Sequence, residues 1–255
     1  MALVKSETAP DGIVVIALDR TDKRNALNAE LRRDLIAAVG TALADDAVHA
    51  IVLTGAGGHF CAGGDIDSMN GLSPRSARTR MKDGQRLVRM VHDCEKPVIA
   101  AVEGFAVGAG AGLALLADAI VAADGATIGF PFFRVGLVPD FALLHTLPRR
   151  VGAARARDLL LFARMVPAED AVAMGLADHP AAKGEAVKRA GELARELAAM
   201  PPHAFGLAKR QLALAPQSFD AALEQEAMAQ SLCFLGEELT EGRAAFQEKR
   251  APRFR

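Results

Sequence analysis

The sequence predicts an α/β protein, and three observations carry that prediction. Short apolar runs alternate with helix-period stretches over residues 13–129. Glycine-rich loops recur after those runs at comparable spacing. From about Val138 onward nearly every segment has helical periodicity, and Pro167, Pro201-Pro202 and Pro216 each fall near a helix start. A strand–helix–strand order of this kind indicates βαβ units with parallel strands.

Residues 13–18 read as the first strand. Asn28 is placed to cap a helix running to about residue 44, with Leu31, Leu35, Ala38, Val39 and Ala42 at helical spacing. Residues 50–53 form a short buried strand, closed by the turn Thr54-Gly55-Ala56-Gly57-Gly58. An Arg-rich helix is expected over 76–91, a buried strand over 98–102 and a small-residue helix over 109–117. Residues 120–123 and 126–129 read as short strands. Helices follow over 141–149, 153–161, 168–174, 185–199, 203–213 and 219–238. The organisation expected is an α/β core over 1–200 and a helical module over 201–255, with no low-complexity linker between them.

Composition narrows the function. At 255 residues the chain can bury a full core. A net charge of −1 gives no global attraction to nucleic acid or an anionic membrane, so any anion site is local. The longest apolar runs are too short and too broken by glycine to span a bilayer. Residues 1–12 lack the apolar stretch of a signal peptide. Cys61, Cys94 and Cys233 are widely spaced, give no metal or CxxC pattern, and suit a reduced, cytoplasmic protein. Tyr and Trp are absent, which leaves Asp, Glu, His, Lys and Cys as candidate acids and bases.

Two loops stand out. Gly104-Phe105-Ala106-Val107-Gly108-Ala109-Gly110-Ala111-Gly112 follows an apolar strand, and His59-Phe60-Cys61-Ala62-Gly63-Gly64-Asp65-Ile66 lies about forty residues upstream. Two such loops can aim two backbone N–H groups at one point, which is how an oxyanion is held. Taken singly, each is better explained as a set of tight turns, whereas the two together in this order are not. The glycines do not have the G-x-G-x-x-G spacing of a dinucleotide site.

The chain resembles the enoyl-CoA hydratase/isomerase, or crotonase, superfamily over nearly its whole length. The resemblance rests on Lys23-Arg24-Asn25-Ala26-Leu27-Asn28, Ile51-Val52-Leu53-Thr54-Gly55, the two glycine loops, Gly136-Leu137-Val138-Pro139-Asp140, Leu147-Pro148-Arg149, Ala173-Met174-Gly175-Leu176-Ala177 and the tail from Glu241 to Arg250. It implies a crotonase-like spiral of ββα units with a helical C-terminal oligomerisation module, assembled as a homotrimer or a dimer of trimers. It also implies an acyl-CoA thioester substrate, enolate stabilisation, and no cofactor beyond the coenzyme A of the substrate.

By position, the resemblance makes the backbone N–H groups of Gly64 and Ala109 the oxyanion donors. Ala109 begins a helix, so its N–H has no partner within that helix. The resemblance also places Lys23, Arg24, Ala26, Ala62, Asp65, Ile66 and Lys249 along the CoA. Each of those charges could equally be an ordinary solvated group. The Arg-rich helix, with Arg75, Arg78, Arg80, Lys82, Arg86 and Arg89, reads as mainly solvated.

Family hydratases use two glutamates, and their positions correspond here to Gly112 and Phe132, which are expected to line the acyl pocket instead. A glycine and a phenyl ring cannot activate water, so two-glutamate hydration is not expected. Some family isomerases carry one acidic base at the position of Asp140. One base is sufficient to move a double bond, and an apolar neighbour such as Phe132 would raise its pKa. Asp140 also directly precedes a helical pattern, where it would serve as an N-cap. Other single-Asp crotonase reactions and a catalytically silent acyl-CoA-binding role share the same pattern. Among the remaining candidates, Glu103, His92, His145 and Cys61 read as structural, and Asp65 as a loop brace.

Overall fold

The computed structural model describes residues 2–214 and 218–254. Nine strands, β1 (Val4–Thr8), β2 (Ile13–Leu18), β3 (Ala50–Gly55), β4 (Val98–Val102), β5 (Phe105–Val107), β6 (Ala119–Ala123), β7 (Thr127–Gly129), β8 (Met165–Pro167) and β9 (His179–Ala181), form two sheets among those residues. The larger sheet has the order β1-β2-β3-β4-β6-β9, and the smaller has the order β5-β7-β8. All neighbours from β2 to β9 in the larger sheet are parallel, and β1 pairs antiparallel with β2.

The spiral is visible in how the chain alternates between the sheets. After β4 it crosses to β5, returns to β6 and crosses again to β7. The turn before these repeats the pattern. After β3, Cys61 bridges Ala106 in parallel, with Cys61 N–H donating to Phe105 O at 2.8 Å and Val107 N–H to Cys61 O at 2.9 Å. Each turn thus contributes one segment to each sheet, and the glycine loops lie where the segments cross.

Alternation along the parallel strands divides the core. Ile16, Leu18, Ile51, Leu53, Val98, Ala100 and Ile120 face one side, against α1 (Ala29–Ala44), α2 (Pro74–His92) and α3 (Ala109–Ala114). Ile13, Val52, Ile99, Ala101 and Val121 face the other, where Ala186, Ala190, Leu193 and Ala194 of α7 (Ala186–Ala198) cover them. Between them in the chain are α4 (Leu143–Val151), α5 (Ala153–Leu161) and α6 (Ala168–Ala173), and α8 (Pro202–Ala213), α9 (Phe219–Leu235) and α10 (Glu237–Glu248) follow. Lys209 ties α8 to the core through Asp118 at 2.7 Å and Lys96 O at 2.8 Å.

Several boundaries differ from expectation. Asn28 does cap α1, its side chain accepting from Leu31 N–H at 2.8 Å. The Arg-rich helix starts two residues early, at Pro74, because Ser73 and Ser76 form a capping box. Strands β1, β5, β8 and β9 were not expected. The helix expected over 109–117 ends at Ala114. The helix expected from 141 begins at Leu143, since Phe141 and Ala142 hold φ values of 49° and 60°. The pattern over 219–238 breaks at Gly236, and a separate helix carries the tail. Pro216 lies outside the described residues. No helix among the described residues is long and apolar enough to cross a membrane.

Candidate active site

The two glycine loops meet. A Cβ on Gly63 would lie 2.7 Å from Val107 O and 3.7 Å from Ala109 N, so only a glycine lets the backbones approach this closely. Gly63 also holds φ +101°. Leu27 N–H donates to Gly63 O at 2.7 Å and Asp65 N–H to Leu27 O at 3.1 Å, which clamps the strand-like segment on its other side. Gly64 N–H and Ala109 N–H have no acceptor among the described residues.

Both residues line a cavity of about 940 Å³, and Asp140 lines the same cavity. Asp140 does not cap α4: the capping position is Ala142, which makes no side-chain cap bond, and only the backbone oxygen of Asp140 accepts, from Leu143 N–H at 3.1 Å. Its Oδ1 is buried without a hydrogen-bond partner. Burial pushes the Asp140 carboxyl above its ordinary range, against the opposing pull of Arg80, its own backbone and Arg32. No ion pair reaches Asp140 among the described residues.

Gly112 and Phe132 are not among the residues lining this cavity. A Cβ on Gly112 would collide with Cβ of Phe141, whose left-handed backbone sets its Cβ and carbonyl oxygen over the glycine while the tip of its ring reaches Gly84. Phe132 is buried, its ring tip 3.8 Å from where a Cβ on Gly108 would stand.

The residues expected along the CoA cluster at the first loop. Asn25 is fully buried and donates to Ala56 O at 2.9 Å and His59 O at 2.6 Å. This fixes the turn that carries Lys23, Arg24 and Ala26. Lys23 is exposed and pairs with Asp67 at 3.2 Å, and Arg24 lies over the Phe105 ring at 5.5 Å. Ala62 N–H donates to Arg24 O at 2.9 Å. Asp65 is buried and braces the loop, accepting from Arg20 at 2.7 Å and Asp67 N–H at 3.1 Å. Burial opposes its ionisation, but Arg20 and these hydrogen bonds hold its carboxyl below the ordinary range. Ile66 is exposed at 58%. Lys249 ends α10 with φ 54°, and no hydrogen bond or ion pair joins it to this cluster among the described residues.

The structural readings have concrete partners. Glu103 Oε1 accepts from Gly184 N–H at 3.0 Å and Ala186 N–H at 3.1 Å, holding the start of α7. Cys61 is wholly buried, and its thiol is pushed up to about 12. His92 and His145 contact edge to face at 6.1 Å on the cavity wall. A second cavity, of about 820 Å³, holds the ion pairs Arg150–Asp178 and Lys209–Asp118 and none of the loop residues.

Sequence reasoning missed three arginines on the cavity wall, Arg32, Arg80 and Arg89. Arg32 is 5% exposed and lines the cavity. Arg80, read above as solvated, lines it too, with Nη2 3.2 Å from a Cβ position on Gly64. The signal was available: Arg80 shares a helical face with the buried Gly84, Leu87 and Val91, at offsets of four, seven and eleven.

Known proteins match this architecture. The family model for enoyl-CoA hydratase/isomerase matches residues 8–255. A probable enoyl-CoA hydratase of Rhodobacter capsulatus is 38% identical, covering 96% of this chain and 95% of its own length. The 1,2-epoxyphenylacetyl-CoA isomerase of Escherichia coli is 35% identical, with 95% of each chain covered. The crystal structure of an enoyl-CoA hydratase from Polaromonas sp. JS666 superposes with a TM-score of 0.94 at 30% identity, covering 99% of both chains. On the sequence match and the shared spiral together, this chain belongs to the enoyl-CoA hydratase/isomerase family.

Proposed function

We propose that the protein moves the double bond of a 3-enoyl-CoA thioester into conjugation, with Asp140 as the one base. The observation that carries this reading is the buried, unpartnered Oδ1 of Asp140, in one cavity with two unpaired backbone donors. Asp140 takes the C2 proton, and the C–H electron pair moves into a dienolate whose charge rests on the thioester oxygen. Gly64 and Ala109 N–H donate to that oxygen, each donor contributing about 3 kcal/mol in the transition state. The carboxyl then returns the proton at C4, the C2–C3 double bond forms, and the thioester carbonyl is restored. Atoms and charge balance without a water or a second carboxylate.

Relatives named hydratases favour hydration as a second reading. Against it stand Gly112 and Phe132 at the two positions where family hydratases carry glutamates. The relative named a 1,2-epoxyphenylacetyl-CoA isomerase supports isomerisation in general, by its name on an epoxide and not on a 3-enoyl double bond, and so equally supports another single-Asp reaction. Lys23, Arg24, Ala26, Ala62, Asp65 and Ile66, with Lys249 of this or an adjacent subunit, are assigned to the CoA, and Gly112 and Phe132 to the wall behind the acyl group. No cofactor is needed beyond the CoA of the substrate. The free thiols Cys61, Cys94 and Cys233 agree with a cytoplasmic setting.

The test supplies 2-enoyl-CoA and 3-enoyl-CoA separately and monitors hydration and double-bond migration. Migration should dominate, and Asp140→Asn should lower it by about 10²–10⁴-fold while acyl-CoA still binds. Unchanged migration in that variant, or clear hydration by the native protein, overturns the reading.

A further inference from the structure

Three guanidinium groups, of Arg32, Arg80 and Arg89, line the cavity with Asp140. The isomerase chemistry uses none of them, and the charges of Arg32 and Arg80 are the two that bear on the Asp140 carboxyl. Arg32 is more than nine-tenths buried. Its Nη1 donates to Leu27 O at 3.2 Å, and its Nε has no partner. Arg80 is half-buried, spends Nη1 on Ser68 Oγ at 2.9 Å, and holds Nη2 beside Gly64. Neither forms an ion pair with Asp140 or any other carboxylate among the described residues. A buried guanidinium with an unmet N–H is costly unless an anion completes it. Asp140 is a poor candidate for that anion, because a base held in a close ion pair would lose its reach and its basicity.

Arg89, Asp93, His92 and His145 also line the cavity, and Met69, Leu72, Met81, Val88 and Leu137 supply an apolar wall. Against such a wall, two adjacent guanidiniums form a specific anion site. We infer that Arg32 and Arg80 bind a carboxylate on the acyl group itself, so that the substrate is the CoA thioester of a short dicarboxylic acid. The inference rests on the thioester reading of the site and names its substrate class. Arg80 Nη2 stands beside the anion loop, so the acid is short. In a five-carbon 3-enoyl member of that class the carboxylate sits on C4, the carbon to be reprotonated. Binding there fixes C4 relative to Asp140.

The experiment titrates the full-length protein with glutaryl-CoA and with hexanoyl-CoA, which carry acyl groups of similar length with and without a terminal carboxylate. Glutaryl-CoA should bind at least about tenfold more tightly, and the advantage should shrink as salt rises. Arg80→Gln and Arg32→Gln should each bring the two affinities together, with the greater loss falling on glutaryl-CoA. Equal or weaker binding of glutaryl-CoA, or an advantage that survives Arg80→Gln, overturns the inference. Arg80 is only partly buried, so that variant decides the matter even if Arg32→Gln fails to fold. In parallel, a five-carbon enedioyl-CoA and 3-hexenoyl-CoA are assayed for migration. Migration of hexenoyl-CoA with no glutaryl preference removes the dicarboxylate site and leaves the isomerase. A glutaryl preference without migration of either substrate keeps the site and removes the isomerase.

Discussion

Asp140 carries a charge where the fold gives it little support, and its behaviour separates function from stability. Burial raises its carboxyl pKa, so the folded chain holds that proton more tightly than the unfolded chain does. Stability therefore falls as pH rises from the ordinary carboxylate range through the raised value, and the cost is fully present at neutral pH. Asp140→Asn should thus raise unfolding stability at neutral pH by about 1 kcal/mol while removing activity, and the gain should vanish at acid pH. Chemical denaturation of both proteins across pH checks this; a variant less stable at pH 7 would mean that the carboxylate is structural. Gly112 gives the opposite case. Alanine in a helix interior usually improves on glycine by about 0.5–1 kcal/mol. Here its methyl would press on the Phe141 backbone and side chain, so Gly112→Ala should destabilise by about 1–3 kcal/mol. An unchanged melting temperature would contradict that packing. The collision was invisible in the sequence, because it depends on Phe141 turning left-handed. The two possible roles of Asp140 were legible there, and that it is not the cap was not. It needed the backbone turn that moves the cap to Ala142.

The spiral explains at the level of elements why the site is built from loops. Parallel pairing of Cys61 with Ala106 sets the register between the two glycine loops, and Gly63 allows their contact. Gly63→Ala should therefore lower turnover by about 10²-fold or more, because it tilts the Gly64 donor, while leaving far-ultraviolet circular dichroism unchanged. Near-normal turnover would show that the loops tolerate separation. Elements with buried periodicity were readable in advance: β2, β3, β4 and β6 are nearly continuous apolar runs, and α1 carries its apolar face and cap in plain sight. Elements held by partners were not. β1 reads Val-Lys-Ser-Glu-Thr, almost wholly exposed, and exists because β2 offers it an edge. β5, β8 and β9 are three residues each, too short for any period to register. Arg80 was hidden for a related reason: its neighbours in α2 are charged, and only the face it shares with Gly84, Leu87 and Val91 marks it as inward.

α9 has no buried residue, although its composition is apolar. Phe219, Leu223, Met228, Leu232, Phe234 and Leu235 are all exposed, with Leu235 at 87%. Apolar surface of that extent on one helix is of the kind a partner covers, and Lys209 anchors the preceding helix to the core. A second and third copy of this chain are the occupants expected from the oligomerisation module that the family resemblance implies. The family resemblance assigns Lys249, which has no partner in its own first-loop cluster, to the CoA of its own or an adjacent subunit. Sedimentation equilibrium should give three times the monomer mass, or six. Leu232→Glu combined with Leu235→Glu should shift the protein towards monomer, because a charge buried in an apolar interface costs several kcal/mol unless paired. If Lys249 serves a neighbouring subunit, that dissociation should also weaken acyl-CoA binding, although both substitutions lie outside the cavity. A monomeric native protein, or a dissociated variant with undiminished CoA affinity, would assign Lys249 to its own subunit or to solvent.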